Sequence, residues 1–297
     1  MGCNPATAFL MIRQDRPRKT HGTVIFFILL LLFMAGCRSV PRNGSSGAVL
    51  VSKESPYPSI TVETYRNESY PLIYYLVSVD LTDESLALVA APLPAAKPAA
   101  GIVKGEKTSD FAKRTGAIIA VNATPFSIPD GKLRFLTSDR KLEGLFIAEG
   151  KQIASPVSRY AVLGFARDRR AFILESQTEP LPENTSFAFG GFWVILKNGR
   201  HTGSFRDIQD SRTAAGISAG GSTLFILAVE GERPLSSRGL SYYDCAEILL
   251  EKGAADAVEL DGGSSTSLAI QGKNSLSYSE TGIVANSFGF IACPPVY

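Results

Sequence analysis

Apolar positions along this chain follow a period of two for most of its length and a helical period in only two short places. An unbroken apolar run over 23–33 comes first. Behind it, residues 37–58 mix Ser, Gly, Pro and charge without a period and read as a flexible tether. Alternating and β-branched runs then begin. Segments 60–65, 72–81 and 85–91 read as strands, the last two separated by Thr82-Asp83-Glu84. The proline-rich 92–98 cannot continue a ladder and reads as a loop. Thr108 or Ser109 is the expected N-cap of a short helix over 110–114 that stops before Gly116. Segments 117–121, 142–148, 160–166 and 171–175 follow as strands. The apolar, aromatic 187–196 carries Gly190-Gly191, the mark of a bulge or a close backbone approach, and Trp193 within it reads as core in preference to a sugar platform.

The C-terminal third is denser. Runs 213–218 and 223–229 flank Ala219-Gly220-Gly221-Ser222 as a hairpin, and 230–233 is a charged turn. Ser241 and Asp244 form a capping box for a helix through Lys252 that Gly253 closes, with Cys245, Ile248, Leu249 and Lys252 at helical spacing. A strand ending at Asp261, a return strand 267–270 and a last strand 287–292 complete the chain. This order predicts an α+β fold, a mixed, strand-rich sheet domain with a few helices and an active site at strand ends. The expected organisation is a leader 1–36, the tether 37–58, an N-terminal strand region 59–104 and a main domain 105–297.

The leader reading rests on Arg13, Arg16, Arg18 and Lys19 before the apolar run and small residues after it, the layout of a secretory signal. Ala35-Gly36 directly before Cys37 resembles a bacterial lipobox, so Cys37 is expected to carry lipid and hold the protein at a membrane of the bacterial envelope, facing away from the cytoplasm. An uncleaved anchor is the alternative. Losing 1–36 removes four basic residues and one acid and takes the formal charge from +2 to about −1. That balance gives no pull on nucleic acid. Cys245 and Cys293 then remain, either bridged or as separate thiols. His201 is the one histidine left, so neither a His-rich zinc site nor a Cys-x-x-Cys site is present, and a Ser-His-Asp triad would have to use a residue in a polar, Gly-rich turn. Carboxylates are therefore the expected proton carriers.

The strongest candidate is Asp261, at the end of the apolar run Val258–Leu260 and followed by Gly262, Gly263, Ser264 and Ser265. A carboxylate at the end of a buried strand is rigidly held, and two glycines and two hydroxyls beside it suit an oxyanion or a sugar. Asn122, where strand 117–121 runs into Ala123-Thr124-Pro125-Phe126, repeats that arrangement. Both residues also serve as ordinary turn caps.

Taken in order, Ser211-Arg212-Thr213-Ala214-Ala215-Gly216-Ile217, Ala228-Val229-Glu230-Gly231, Ser237-Arg238-Gly239-Leu240, Glu247, Glu259-Leu260-Asp261-Gly262-Gly263-Ser264-Ser265 and Val284-Ala285-Asn286-Ser287 form a pattern that resembles the phosphodiester glycosidase family, over about residues 105–293. The resemblance implies an exported hydrolase that cleaves a sugar-1-phosphate diester or related glycosidic bond in an envelope or extracellular glycopolymer. Asp261 would be the principal carboxylate, Glu230 its partner and Arg212 a forked phosphate clamp. Asn122, Thr213, Gly262, Gly263, Ser264, Ser265 and Asn286 would hold substrate. No cofactor is required, although acids at 207, 210, 230 and 261 permit a divalent cation. Two glycines follow Asp261 where the family commonly shows three, Glu230 replaces an Asp, and Ala123-Thr124 replace a Gly-Gly, so β-carbons there would narrow a pocket. A non-catalytic, glycan-binding envelope lipoprotein is the alternative.

Overall fold

The computed structural model describes residues 47–91, 101–133, 136–203, 205, 207–280 and 282–293. The expected leader, Cys37 and the 92–98 loop lie outside them. Strands β1 (Val49–Tyr57), β2 (Ile60–Asn67), β3 (Leu72–Asp80), β4 (Leu86–Ala91) and β5 (Ile102–Lys104) precede helix α1 (Thr108–Thr115). Next come β6 (Ile119–Asn122), β7 (Phe126–Ser127), β8 (Asp139–Leu142), β9 (Phe146–Ala148), β10 (Lys151–Ala154), β11 (Val162–Ala166), β12 (Ala171–Leu174), β13 (Thr185–Gly190), β14 (Val194–Lys197) and β15 (Arg200–His201). The hairpin β16 (Arg212–Ile217) and β17 (Thr223–Val229) leads to helix α2 (Tyr242–Glu251), then β18 (Asp256–Glu259), β19 (Leu268–Ile270), β20 (Lys273–Asn274) and β21 (Ser287–Ala292). Among the described residues the domain is strand-rich, with several sheets and two helices, as the sequence leads one to expect.

An eight-stranded antiparallel sheet, in the order β1-β2-β3-β17-β16-β18-β14-β15, is the frame. Its alternation sorts side chains cleanly between two cores. Val77, Val79, Ala215, Ile226, Ala228 and Val258 face Ile119, Val121, Leu268 and Phe288 of the five-stranded sheet β20-β19-β6-β21-β4, together with Leu163 and Phe189 of the second five-stranded sheet β10-β9-β13-β11-β12. Leu76, Ala214, Leu227, Val229 and Ala257 face the other way, onto Cys245, Ile248 and Leu249 of α2. The Ser241–Asp244 capping box that starts α2 is present. Cys245 and Cys293 are free thiols, the first wholly buried.

Three expectations need correction. The tether is too long: β1 occupies its second half and pairs with β2. As an edge strand with Val49, Leu50 and Val51 largely exposed, β1 lacks a buried face and hence the alternation that would have marked it, and an edge tolerates Pro56. Residues 59–104 are no separate region, since β3 pairs with β17 and β4 with β21. At α1, Lys107 is the N-cap and makes no side-chain capping bond. Thr108 instead meets the hydroxyls of Ser267 and Ser287, and Ser109 donates to Glu280, so tertiary partners claim both hydroxyls.

Candidate active site

The 261–267 turn carries the chain out of the eight-stranded sheet and into the five-stranded one. Leu260 extends the β18 ladder by donating to Thr213, after which the amide of Asp261 crosses to the carbonyl of Ala123, at 2.9 Å. Asn122, at the end of β6, fastens the crossing. Its amide donates to the Asp261 carbonyl at 2.6 Å, while its side-chain oxygen accepts from the Thr213 hydroxyl and the Ser267 amide, each at 3.0 Å. Gly263, at φ +58°, opens the 3-10 turn Gly263–Ser265. Its amide donates to Ser211, and a Cβ on Gly262 would come 2.9 Å from that same carbonyl. Close backbone approach thus requires the first glycine and a left-handed conformation favours the second.

Asp261, Gly262, Gly263 and Ser265 are partly accessible and Ser264 is exposed. The Asp261 carboxyl is pushed up to about 7 by burial, against a lowering hydrogen bond from Ser265. Beneath it lies a residue that the motif reading did not single out. Glu259 is 1% exposed, and among the described residues neither of its carboxyl oxygens has a hydrogen-bond partner. Nη1 of Arg212 stands 4.0 Å away. Burial pushes Glu259 up to about 8; Arg212 opposes that, and Asp210 and Asp261 add to it. A signal was available, because Glu259 and Asp261 are two apart on a strand and so project from one face.

Arg212 is not an open clamp. Its Nε donates to Leu240 at 3.0 Å, its Nη2 to Ile208 at 2.7 Å, and the guanidinium lies 4.2 Å over the ring of Tyr242. Glu230 is not beside it. Arg212 pairs with Val229 across the hairpin, so Glu230 falls on the opposite face of the sheet. There it is fully buried, held by the Tyr75 hydroxyl at 2.9 Å and by the Ser277 amide at 2.6 Å and hydroxyl. Such a carboxylate staples β3, β17 and the 277 loop and has no face left for a substrate. Asn122, Thr213 and Asn286 are likewise buried, Asn286 binding the amide and hydroxyl of Thr124. Ala123 and Thr124 point into that packing and narrow no opening.

No group of three or more His, Cys, Asp or Glu suited to a metal occurs among the described residues. His201 stacks on Tyr243 at 4.2 Å and pairs with Glu247, which accounts for both residues away from the turn. Truncating Asn122 to alanine should leave three partners unsatisfied, two of them buried, and cost about 2–4 kcal/mol, read as a lower midpoint in urea unfolding.

This architecture has counterparts. A family profile described as phosphodiester glycosidase matches residues 115–291. The chain belongs to that family. Among solved structures, the zebrafish N-acetylglucosamine-1-phosphodiester alpha-N-acetylglucosaminidase catalytic domain, auto-inhibited by its pro-peptide, superposes with a TM-score of 0.59 at 17% identity, over 83% of this chain and 88% of that one. A hypothetical protein from Synechocystis gives 0.59 at 14% identity, over 84% of this chain and 65% of that one. The SPbeta prophage-derived uncharacterized protein YomE of Bacillus subtilis (strain 168) is 26% identical over 192 residues, 58% of this chain. The chain spans only 27% of the length of that relative. Within the family's matched segment fall α2, the Asn122 staple and the whole 261–267 turn.

Proposed function

We propose that this protein is a hydrolase that cleaves a sugar-1-phosphate diester, or a related glycosidic bond, in an envelope or extracellular glycopolymer. Family membership supports the reaction class. The observation that carries the reading is Asp261, a partly accessible residue on an otherwise hydrogen-bonded turn whose carboxyl burial pushes up to about 7. The zebrafish relative's name gives an N-acetylglucosamine-1-phosphodiester as its substrate, and the same class of bond is proposed here.

In this mechanism ionised Asp261 takes a proton from a water that attacks the anomeric carbon. The bond from that carbon to the bridging oxygen breaks, its electron pair stays on the oxygen, and a phosphate monoester departs. Phosphate leaves readily compared with an alcohol, so no strong acid is demanded. Arg212 acts through its field, since two of its three nitrogens already serve backbone carbonyls. While Glu259 is neutral, the guanidinium charge beneath the turn is uncancelled in a dry setting and favours an anion above it. Once Glu259 ionises, that charge is neutralised.

The test is a panel of sugar-1-phosphate diesters and matching aryl glycosides, with and without chelator. Free sugar from the diesters is expected. Release from aryl glycosides alone would move the reading to an ordinary glycosidase, and saturable polymer binding without release would favour the non-catalytic alternative. Lipid anchoring through Cys37 is proposed with it. Cys37→Ser should move the protein from the membrane fraction to the soluble one; an unchanged distribution would argue for an uncleaved anchor. Among the described residues no helix is long and apolar enough to cross a membrane.

A further inference from the structure

Trp193, expected in the core, is instead 39% exposed. The cause is a bulge. The Phe192 amide donates to the Glu259 carbonyl at 2.7 Å while the Trp193 carbonyl accepts from the Glu259 amide at 2.9 Å, so two residues of one strand oppose one of the other. Gly191 makes this approach feasible, since a Cβ there would lie 2.6 Å from the Glu259 carbonyl. Bulges of this kind re-aim a side chain, and here the side chain is the only tryptophan in the chain.

The indole is held from one side. Tyr160 packs edge-on against it, with centroids 5.4 Å apart at 76°, and also against Phe192, at 5.3 Å and 88°. Tyr160 is itself fixed by Arg159, whose guanidinium lies 4.6 Å over its ring and donates to its hydroxyl at 2.9 Å. The result is a preorganised aromatic surface with a cation and a hydroxyl at its rim. It sits close to the candidate site along the backbone: one residue, Leu260, lies between Glu259, which Trp193 grips, and Asp261, a two-residue step of roughly 7 Å of extended chain and on the scale of one sugar unit.

We propose that Trp193, backed by Tyr160, is a sugar-binding subsite that stacks on the apolar face of a pyranose ring neighbouring the bond held at Asp261. The proposal rests on the glycosidase reading for the identity of the occupant. Size favours a sugar over a protein partner. The exposed part of one indole is on the order of 100 Å², far below the ~800 Å² per side of a stable protein interface. A polar rim around one aromatic face also matches a sugar, whose C–H face is apolar and whose edge is hydroxyls.

Being the only tryptophan, Trp193 reports on itself. The test titrates the protein carrying Asp261→Asn, which keeps ligands intact, with chitotetraose, maltotetraose and the methyl diester of N-acetylglucosamine-1-phosphate. Tryptophan emission and acrylamide quenching are followed beside calorimetry. A saturable emission shift with protection from acrylamide is expected for at least one ligand. Trp193→Ala should weaken the calorimetric affinity about tenfold or more, and Trp193→Phe, which keeps a stacking ring, should recover most of it. Unmoved emission with every ligand, whether or not calorimetry registers binding, overturns the subsite, as does a Trp193→Ala variant that melts like the parent and binds as well. The two readings separate cleanly. An intact tryptophan response with no turnover of diesters by the wild type would overturn the hydrolase and leave the subsite standing, whereas turnover with a silent tryptophan would do the reverse.

Discussion

Asp261→Asn should lower kcat/KM for a sugar-1-phosphate diester by about 10²–10⁴-fold, the range that a positioned base contributes. The substitution is nearly isosteric and keeps the backbone bonds by which Ala123 and Asn122 hold residue 261. The fold should therefore survive. Because burial disfavours the charged form of this carboxyl, the amide variant should melt no lower than wild type at pH 8. Loss of activity with an unchanged melt is thus the expected pair of results, and turnover like that of wild type would remove Asp261 from the mechanism.

The second large effect concerns Glu259 and pH. The proposed mechanism requires Asp261 ionised and Glu259 neutral, so kcat/KM should rise through about 7 and fall through about 8. Glu259→Gln fixes the neutral form and should abolish the alkaline fall while leaving the acid limb in place. The same residue sets a trend in stability. A carboxyl raised from 4.5 to about 8 on folding binds more protons in the native state, so its contribution is complete below 4.5 and is lost as pH rises toward and through about 8. Glu259→Gln should escape that loss and gain up to about 5 kcal/mol over wild type at pH 9, with little difference near pH 4. Denaturant unfolding across that range checks it. A variant less stable than wild type at every pH would mean that Glu259 has a partner on which the fold depends.

Most of the scaffold was legible because its central strands are buried on both faces and read as near-continuous apolar and β-branched runs. Strands such as β3, β16 and β17 alternate between two distinct cores, and α2 announces itself through Ser241 and Asp244. β1 was illegible for the opposite reason, having no buried face, and two-residue strands such as β7, β15 and β20 are too short to show a period. In the candidate site, the turn at Asp261 and its glycines was legible because a strand end followed by Gly-Gly is a local signal. Glu230 could not. Its acidity is plain, but its role follows from hairpin register, which pairs Arg212 with Val229 and so puts Glu230 on the other face of the sheet, and from Ser277, distant in sequence. Asn122, Thr213 and Asn286 mark the same limit: the motif carries them because they hold the turn together, and a motif does not distinguish holding a turn from touching a sugar. Trp193 was misread because composition assigns a lone tryptophan to the core, whereas a bulge turned it outward.

The central claim is that water adds to the sugar carbon and that the phosphate leaves with the bridging oxygen. It is tested most directly by hydrolysing a sugar-1-phosphate diester in ¹⁸O-labelled water and weighing the phosphate monoester by mass spectrometry. The account predicts a monoester free of label. Label in the phosphate would place the cleavage at phosphorus and contradict a glycosidase, as would the absence of monoester from every diester tried.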